Sequence, residues 1–267
     1  MKIETIYHKG ISQVNEDAFL VASPIFGVFD GVSGLEPYKN EQGQTGASIA
    51  SAIARDVFAK STDPLVETAV IANATIGQAM RDAGVDPSKK SAQWATTASV
   101  IKVNNGTFDW LKIGDSFILT VLRDGSMRLI GRVDDGDVEI MLLWKELALK
   151  QTENIRSVLN GHMLKARNTA ENFGDLNGGE NIERFLEHGT VELQNIAHII
   201  LFTDGLRLPK EDPSKPDNLE EFTDLFLTSG LQGIQDYVRS QEAADPQCWK
   251  YPRFKQHDDI AAVAVSF

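Results

Sequence analysis

Carboxylates stand at the ends of predicted strands in five separated segments of the chain. "VNEDA" sets Glu16 and Asp17 just before an apolar run, and "VFDG" closes another run at Asp30. "KIGDS" holds Asp115, "LFTDG" ends at Asp204, and "HDDI" opens the last run with Asp258 and Asp259. Oxygen-only donors of this kind suit Mg2+ or Mn2+, which bind through a few carboxylates and keep several waters. Taken singly, an Asp-Gly pair is an ordinary turn, because Asp accepts backbone hydrogen bonds and Gly tolerates positive φ. Asp124-Gly125 and Asp135-Gly136 are read as turns and nothing more. Recurrence at five strand ends is not explained by turn chemistry, and it points to one shared metal site. Covalent chemistry has no comparable signal: Cys248, the single cysteine, sits in "DPQCWKYP" without a partner that would make it a nucleophile or a zinc ligand.

The elements that must bring these carboxylates together follow from periodicity. Residues Ile3–Tyr7, Ala18–Ala22 and Ile25–Phe29 read as short strands. "TGASIASAIARDVFAK" and "DPLVETAVIANATIGQAMRDAG" read as amphipathic helices rich in small residues, the second with Asp63 as N-cap, Pro64 in its first turn and Gly84 as its stop. "TTASVIKV", "TFDWLKIGDS" and "FILTVLRDGSMRLIG" form two hairpins, turning at Asn104-Asn105-Gly106 and Asp124-Gly125, and together predict an antiparallel meander of four strands. Val138 to about Asn172 is mostly helical, and "ENFGDLNGGEN" reads as an exposed loop. "IAHIILF" is a buried strand, two helical patterns cover Leu219–Leu227 and Leu231–Gln241, and "HDDIAAVAVSF" ends the chain as a strand. This order predicts an α+β fold: a central sandwich of two antiparallel sheets flanked by helix pairs, in four α/β/β/α layers. Residues 1–267 are expected to form a single domain, with a helical insert at about 136–179.

Composition narrows the function. The chain has 267 residues, 42% hydrophobic and 24% charged, enough for one sizeable core. A formal net charge of −12 opposes binding to nucleic acid or an anionic membrane, and no basic run offsets it. No apolar stretch approaches the roughly 20 residues that a membrane helix needs. "MKIETIYHKG" lacks the apolar core of a signal peptide, so a cytoplasmic location is expected.

Taken together, "NEDAFLV", "FGVFDGVSG", "TTASV", "LKIGDSFILTVLRDG", "LFTDGL" and "HDDIAAVAVSF" occur in the order and rough spacing of the metal-dependent serine/threonine phosphatases of type 2C, the PPM family. The sequence resembles bacterial-type members from about Asn15 to Phe267. The resemblance implies two divalent cations, Mn2+ or Mg2+, between the sheets. Asp30 would bridge both, the Gly31 carbonyl would bind one, and Asp204 and Asp258 would hold the other. Glu16 and Asp17 would support the site through metal-bound water, and Asp115 would help hold a third, weaker ion. Turnover would follow from attack on phosphorus by a hydroxide bridging two ions roughly 4 Å apart. Gly31 would turn the chain sharply, and Gly34 would either open space for a phosphate or serve as a loop glycine. Thr96 and Thr97 would bond nearby carboxylates or act as structural strand residues.

Two positions depart from the family. The arginine that grips the substrate phosphate in many relatives is Ser12 here, so the phosphate-binding residue is unknown and affinity for small phosphoesters is expected to fall by about 2–3 kcal/mol. The histidine that follows the Asp-Gly in eukaryotic relatives is Val32. Lys9 reads as a solvated surface lysine. A compensating cation is sought in the insert, whose "HMLKAR" groups His162, Lys165 and Arg167, although such clusters are more often a solvated helix face. His188 reads as a helix end, His198 as a satisfied core histidine, and His257 as a candidate to orient Asp258. The expected substrate is a phosphoserine or phosphothreonine protein, with a Ser/Thr kinase as functional partner and a monomeric state. The competing readings are a degenerate family member acting as a regulatory binding module, and a phosphatase for a small phosphorylated metabolite.

Overall fold

The computed structural model describes every residue except Ser33, Leu35, Pro37, Asp134, Asp135 and 170–173, and no side chain over 164–169. The Asp135-Gly136 turn, the helix end near Asn172, and Lys165 and Arg167 therefore fall wholly or partly outside the described residues.

In chain order the elements are β1 (Lys2–His8), β2 (Ala18–Ala22), β3 (Ile25–Phe29), β4 (Gly31–Val32), α1 (Gly46–Lys60), α2 (Leu65–Asp82), β5 (Ala95–Thr96), β6 (Ala98–Val103), β7 (Thr107–Ile113), β8 (Phe117–Leu122) and β9 (Met127–Leu129). They continue with α3 (Val138–Leu149), α4 (Ile155–Thr169), β10 (Glu187–Glu192), β11 (Ile196–Phe202), α5 (Leu219–Ala244) and β12 (Ile260–Ser266). One five-stranded sheet runs β1-β12-β11-β8-β9 and the other β10-β7-β6-β3-β2, with β4 and β5 paired as a short ribbon. Every strand pair is antiparallel.

Strand alternation sorts the side chains into layers. On β12, Ala261, Val263 and Val265 enter the core between the sheets, where they meet Phe26 and Val28 of β3 and Ile199 and Leu201 of β11. The alternate residues Ile260, Ala262 and Ala264 pack with Phe222, Phe226, Leu231 and Ile234 of α5. On the far side, Val100 and Leu111 pack with Ala50, Ala54, Phe58, Ala69, Ala72 and Ile76 of α1 and α2. Because β12 is buried on both faces, its near-continuous apolar run shows no polar alternation. The four-layer α/β/β/α sandwich is the architecture expected from the sequence.

Four local expectations are corrected. The four-strand meander is divided: β6 and β7 belong to one sheet and β8 and β9 to the other, and the chain crosses between them at Gly114-Asp115-Ser116. Gly114 adopts φ +83, and a side chain there would collide with Thr97, so this crossing requires glycine. The Gly/Asn-rich segment is not simply exposed. Leu176 is fully buried and bridged to Thr96, and the Asn73 carboxamide accepts from the amides of Asn177 and Gly178. Residues 187–192, unassigned from the sequence, form the edge strand β10, and His188 lies on it rather than at a helix end. Pro64, not Asp63, occupies the N-cap of α2. The two C-terminal helical patterns agree with the structure: they are the two halves of α5, which break at the non-helical Gly230 (φ 68), where the Glu4 carboxylate accepts from the Leu231 amide.

Candidate metal centre at the strand ends

Antiparallel register explains how distant carboxylates meet. Phe29, which closes β3, faces Ala18, which opens β2. In the other sheet, Phe202 at the end of β11 faces both Phe117 and Ala262 near the starts of β8 and β12. Asp17, Asp30, Asp115, Asp204 and Asp258 adjoin these residues and so cluster at one end of the sandwich. Their mutual repulsion follows from this proximity. Burial, reinforced by the charges of Asp17, Asp204, Asp115 and Asp258, pushes the Asp30 carboxyl far above the usual carboxylate range. Burial followed by repulsion from Asp258 and Asp115 raises Asp204 to about 7, opposed by a hydrogen bond with Asp30. Asp115 rises to about 6 through burial and the charge of Asp137. Asp17 is raised by burial and by Asp258 and Asp204, although it accepts a hydrogen bond from Thr203 Oγ1 at 2.7 Å.

Such repulsion destabilises a metal-free fold and is relieved by cations, and the donor set is wholly oxygen, as hard divalent ions take. Among the described residues no three Asp, Glu, His or Cys side chains close into a ligand group by themselves. A Mg2+-like ion that keeps much of its water needs few direct carboxylates, so the arrangement fits such an ion.

The Asp30 backbone is held from within the sheet. Thr96 Oγ1 donates to the Asp30 carbonyl at 2.8 Å, the Thr97 amide donates to the same carbonyl at 2.9 Å, and Thr97 Oγ1 lies 2.6 Å from Ser116 Oγ. Both threonines are fully buried, and they fix the main chain rather than the carboxylates. Gly31 is required by close approach, not by a sharp turn: an added side chain would collide with the carbonyl oxygens of Glu16 and Ala47. Gly34 likewise packs on the backbone of residues 91–93, which favours the structural reading over a phosphate opening.

The two acidic pairs divide their duties. Glu16 accepts from Thr45 Oγ1 at 2.6 Å, while Asp17 turns into the cluster. Asp259 is buried and clips the N-terminal segment, accepting from the Gly10 amide at 2.7 Å and the Glu16 amide at 2.9 Å. Asp258 is half-buried and takes the Lys255 ammonium at 2.6 Å. His257 does not orient Asp258; its Nδ1 lies 2.8 Å from Glu242 Oε2.

Sequence reasoning missed the site's cations. Lys255 feels Asp258, Asp30 and Asp204. Arg207 is influenced by Asp204 and Asp115, forms two hydrogen bonds with Asp217 at 3.0 and 2.9 Å, and lies over the Phe117 ring. Buried Lys112 donates to the Gly114 carbonyl at 2.8 Å, bracing the crossing that carries Asp115. A local signal existed for two of them: Lys255 precedes Asp258 by three residues, and Arg207 follows Asp204 by three. Lys9 is exposed and donates to the Gln13 carbonyl, and His162 is exposed on α4. His198 is satisfied through Ser266 Oγ at 2.8 Å.

The profile of the protein phosphatase 2C family matches residues 7–236. The chain belongs to that family. No curated protein sequence matches it. Among solved structures, the phosphatase 2C fold is shared with the Mycobacterium tuberculosis serine/threonine phosphatase PstP/Ppp (15% identity, TM-score 0.60, covering 100% of this chain and 98% of that one). The PstP catalytic domain in complex with two manganese ions matches at 16% identity and TM-score 0.58, covering 99% and 97%. PppA of Pseudomonas aeruginosa, described as a key regulatory component of a type VI secretion system, matches at 18% identity and TM-score 0.59, covering 100% and 97%. This phosphatase 2C chain therefore carries a carboxylate cluster at the strand ends of a sandwich common to all three.

Proposed function

We propose that the protein is a Mn2+- or Mg2+-dependent phosphatase acting on phosphoserine and phosphothreonine in proteins. The observation that carries this reading is the convergence of Asp17, Asp30, Asp115, Asp204 and Asp258 from both sheets into one mutually repelling group. Asp30 would serve both cations, the Gly31 carbonyl one of them, and Asp204 and Asp258 the other. Asp17 and Glu16 would act from outside the ligand set, and Asp115 would belong to a third, weaker position. Bound there, two divalent cations would supply acidified water for attack on phosphorus and positive charge to offset the phosphoryl oxygens.

The chain's own residues hold this arrangement. Thr96 and Thr97 fix the Asp30 backbone, Thr203 orients Asp17, and Lys112 braces the Asp115 crossing. A covalent route has little support, because buried Ser116 is bonded to Thr97 and burial pushes the Cys248 thiol up, away from its reactive form. Family membership and the two manganese ions of PstP support the same reading. The substrate is a phosphoprotein made by a Ser/Thr kinase, and the setting is the cytoplasm; among the described residues no helix is long and apolar enough to cross a membrane.

Ser12 and the Lys255–Asp258 pair favour a second reading, a non-catalytic regulatory module. Release of phosphate from a phosphothreonine peptide and from small phosphorylated metabolites, with and without Mn2+, separates the cases. The proposal expects metal-dependent release from the peptide that is abolished in Asp204→Asn. Preference for a metabolite would move the substrate class, and no release from any compound would favour the module.

A further inference from the structure

We propose that Lys255 is a tethered counter-cation that competes with a divalent ion for Asp258 and so sets how tightly that ion is held. The inference rests on the reading of Asp258 as a metal ligand. Lys255 Nζ lies 2.6 Å from Asp258 Oδ1, and the two side chains are 27% and 31% exposed, so an ion arriving from solvent can reach the pair. The same oxygen accepts from the Asp259 amide at 2.8 Å. A dication bound by either oxygen of this carboxylate would lie close to the ammonium, and the two positive charges repel strongly in a partly desolvated cleft, so the ion and Lys255 compete for Asp258.

The backbone here does not depend on Lys255. Arg239 Nη2 donates to the Asp258 carbonyl, and Arg239 is itself paired with Glu242 at 2.7 Å. The ammonium sits on a flexible four-carbon stem, so it can leave without displacing the segment. Asp30 and Asp204 also act on its charge. Lys255 therefore offsets part of the negative charge of a cluster whose members otherwise repel one another.

The test is calorimetric titration of Mn2+ into the metal-free full-length chain, comparing wild type with Lys255→Met, Lys255→Gln and Lys255→Arg at fixed pH and salt. Lys255→Met keeps the apolar stem and Lys255→Gln keeps a donor, and both are expected to bind Mn2+ roughly tenfold more tightly, the scale of one charge-assisted hydrogen bond. Lys255→Arg is expected to stay close to wild type. Equal or weaker binding by the two neutral variants would overturn the competition while leaving the metal site standing. A structural role would show the same weakening, since losing a brace loosens the site. Tighter binding by Lys255→Arg as well would also overturn it, because charge would then not be the cause. Undiminished Mn2+ binding by Asp258→Asn would remove both the inference and the ligand assignment beneath it.

Discussion

Asp30 and Asp258 are carried by two differently built regions of this phosphatase 2C protein. Asp30 follows a central strand, and neutral, fully buried partners inside the sheet hold its main chain: Thr96, Thr97 and, through Thr97, Ser116. Asp258 follows the irregular segment after α5, which is held by charge. Asp245 accepts from the amides of Trp249, Lys250 and Tyr251 and pairs with Arg253 at 2.9 Å. Arg239, Glu242 and His257 continue this network to Asp258. The α3–α4 pair then clamps the segment: Trp144 Nε1 donates to the Cys248 carbonyl at 2.8 Å, Arg156 to the Phe254 carbonyl at 2.7 Å, and Trp249 Nε1 to the Thr152 carbonyl at 3.2 Å. One half of the site is thus built into the sandwich, and the other half depends on ion pairs and a docked helix pair. The sheet side should tolerate changes of salt that the charged side does not.

Removing the charged hub should have the largest effect on stability. Asp245→Ala leaves Arg253 partly buried without its carboxylate partner and frees three amides, and should cost about 3–5 kcal/mol. Hydrogen exchange should rise across 245–258 and stay low at the end of β3; equal opening of both regions would refute the contrast. Thr97→Val should cost about 1–3 kcal/mol in denaturant unfolding, since it leaves the Ser116 hydroxyl buried without its partner.

Metal-free stability should also respond to pH through the raised carboxyls. Asp115 and Asp204 titrate at about 6 and about 7, above the ordinary value near 4. Their contribution is fully present below about pH 4 and is lost as pH climbs through 6 and 7. Asp245 and Asp217 are held low by their partners and stay ionised throughout that window. The metal-free melting temperature should therefore fall between pH 5 and 7.5, and Mn2+ should flatten the curve. A flat metal-free curve would contradict the clustering. The smallest effect is expected from Trp144→Phe, about 1 kcal/mol, through loss of the bond to the Cys248 carbonyl.

The same contrast marks what could be read from the sequence. Strand ends carrying Asp30, Asp115, Asp204 and Asp258 were legible because alternation and turn residues are local signals. The sheet switch at Gly114-Asp115 was not, since a hairpin and a crossing share the same turn chemistry. Strand β10, "EHGTVE", escaped notice because an edge strand with half-exposed polar residues carries no apolar alternation. The charged side was least legible. His257 reaches Glu242, 15 positions earlier, instead of its neighbour Asp258, and Lys255 and Arg207, which act on the cluster, carried no expectation from the sequence. Ion-pair partners are set by the packed fold, which spacing alone does not encode.

The central claim is that this carboxylate cluster is a metal-dependent hydrolytic site with Asp30 at its centre. Its most direct test is hydrolysis of p-nitrophenyl phosphate by the wild-type chain and by Asp30→Asn across a Mn2+ titration. Turnover should require Mn2+ and fall at least about a thousandfold in the variant, with its fold retained, because Asp30 is proposed to serve both ions. Wild-type rates in Asp30→Asn at saturating Mn2+ would contradict it.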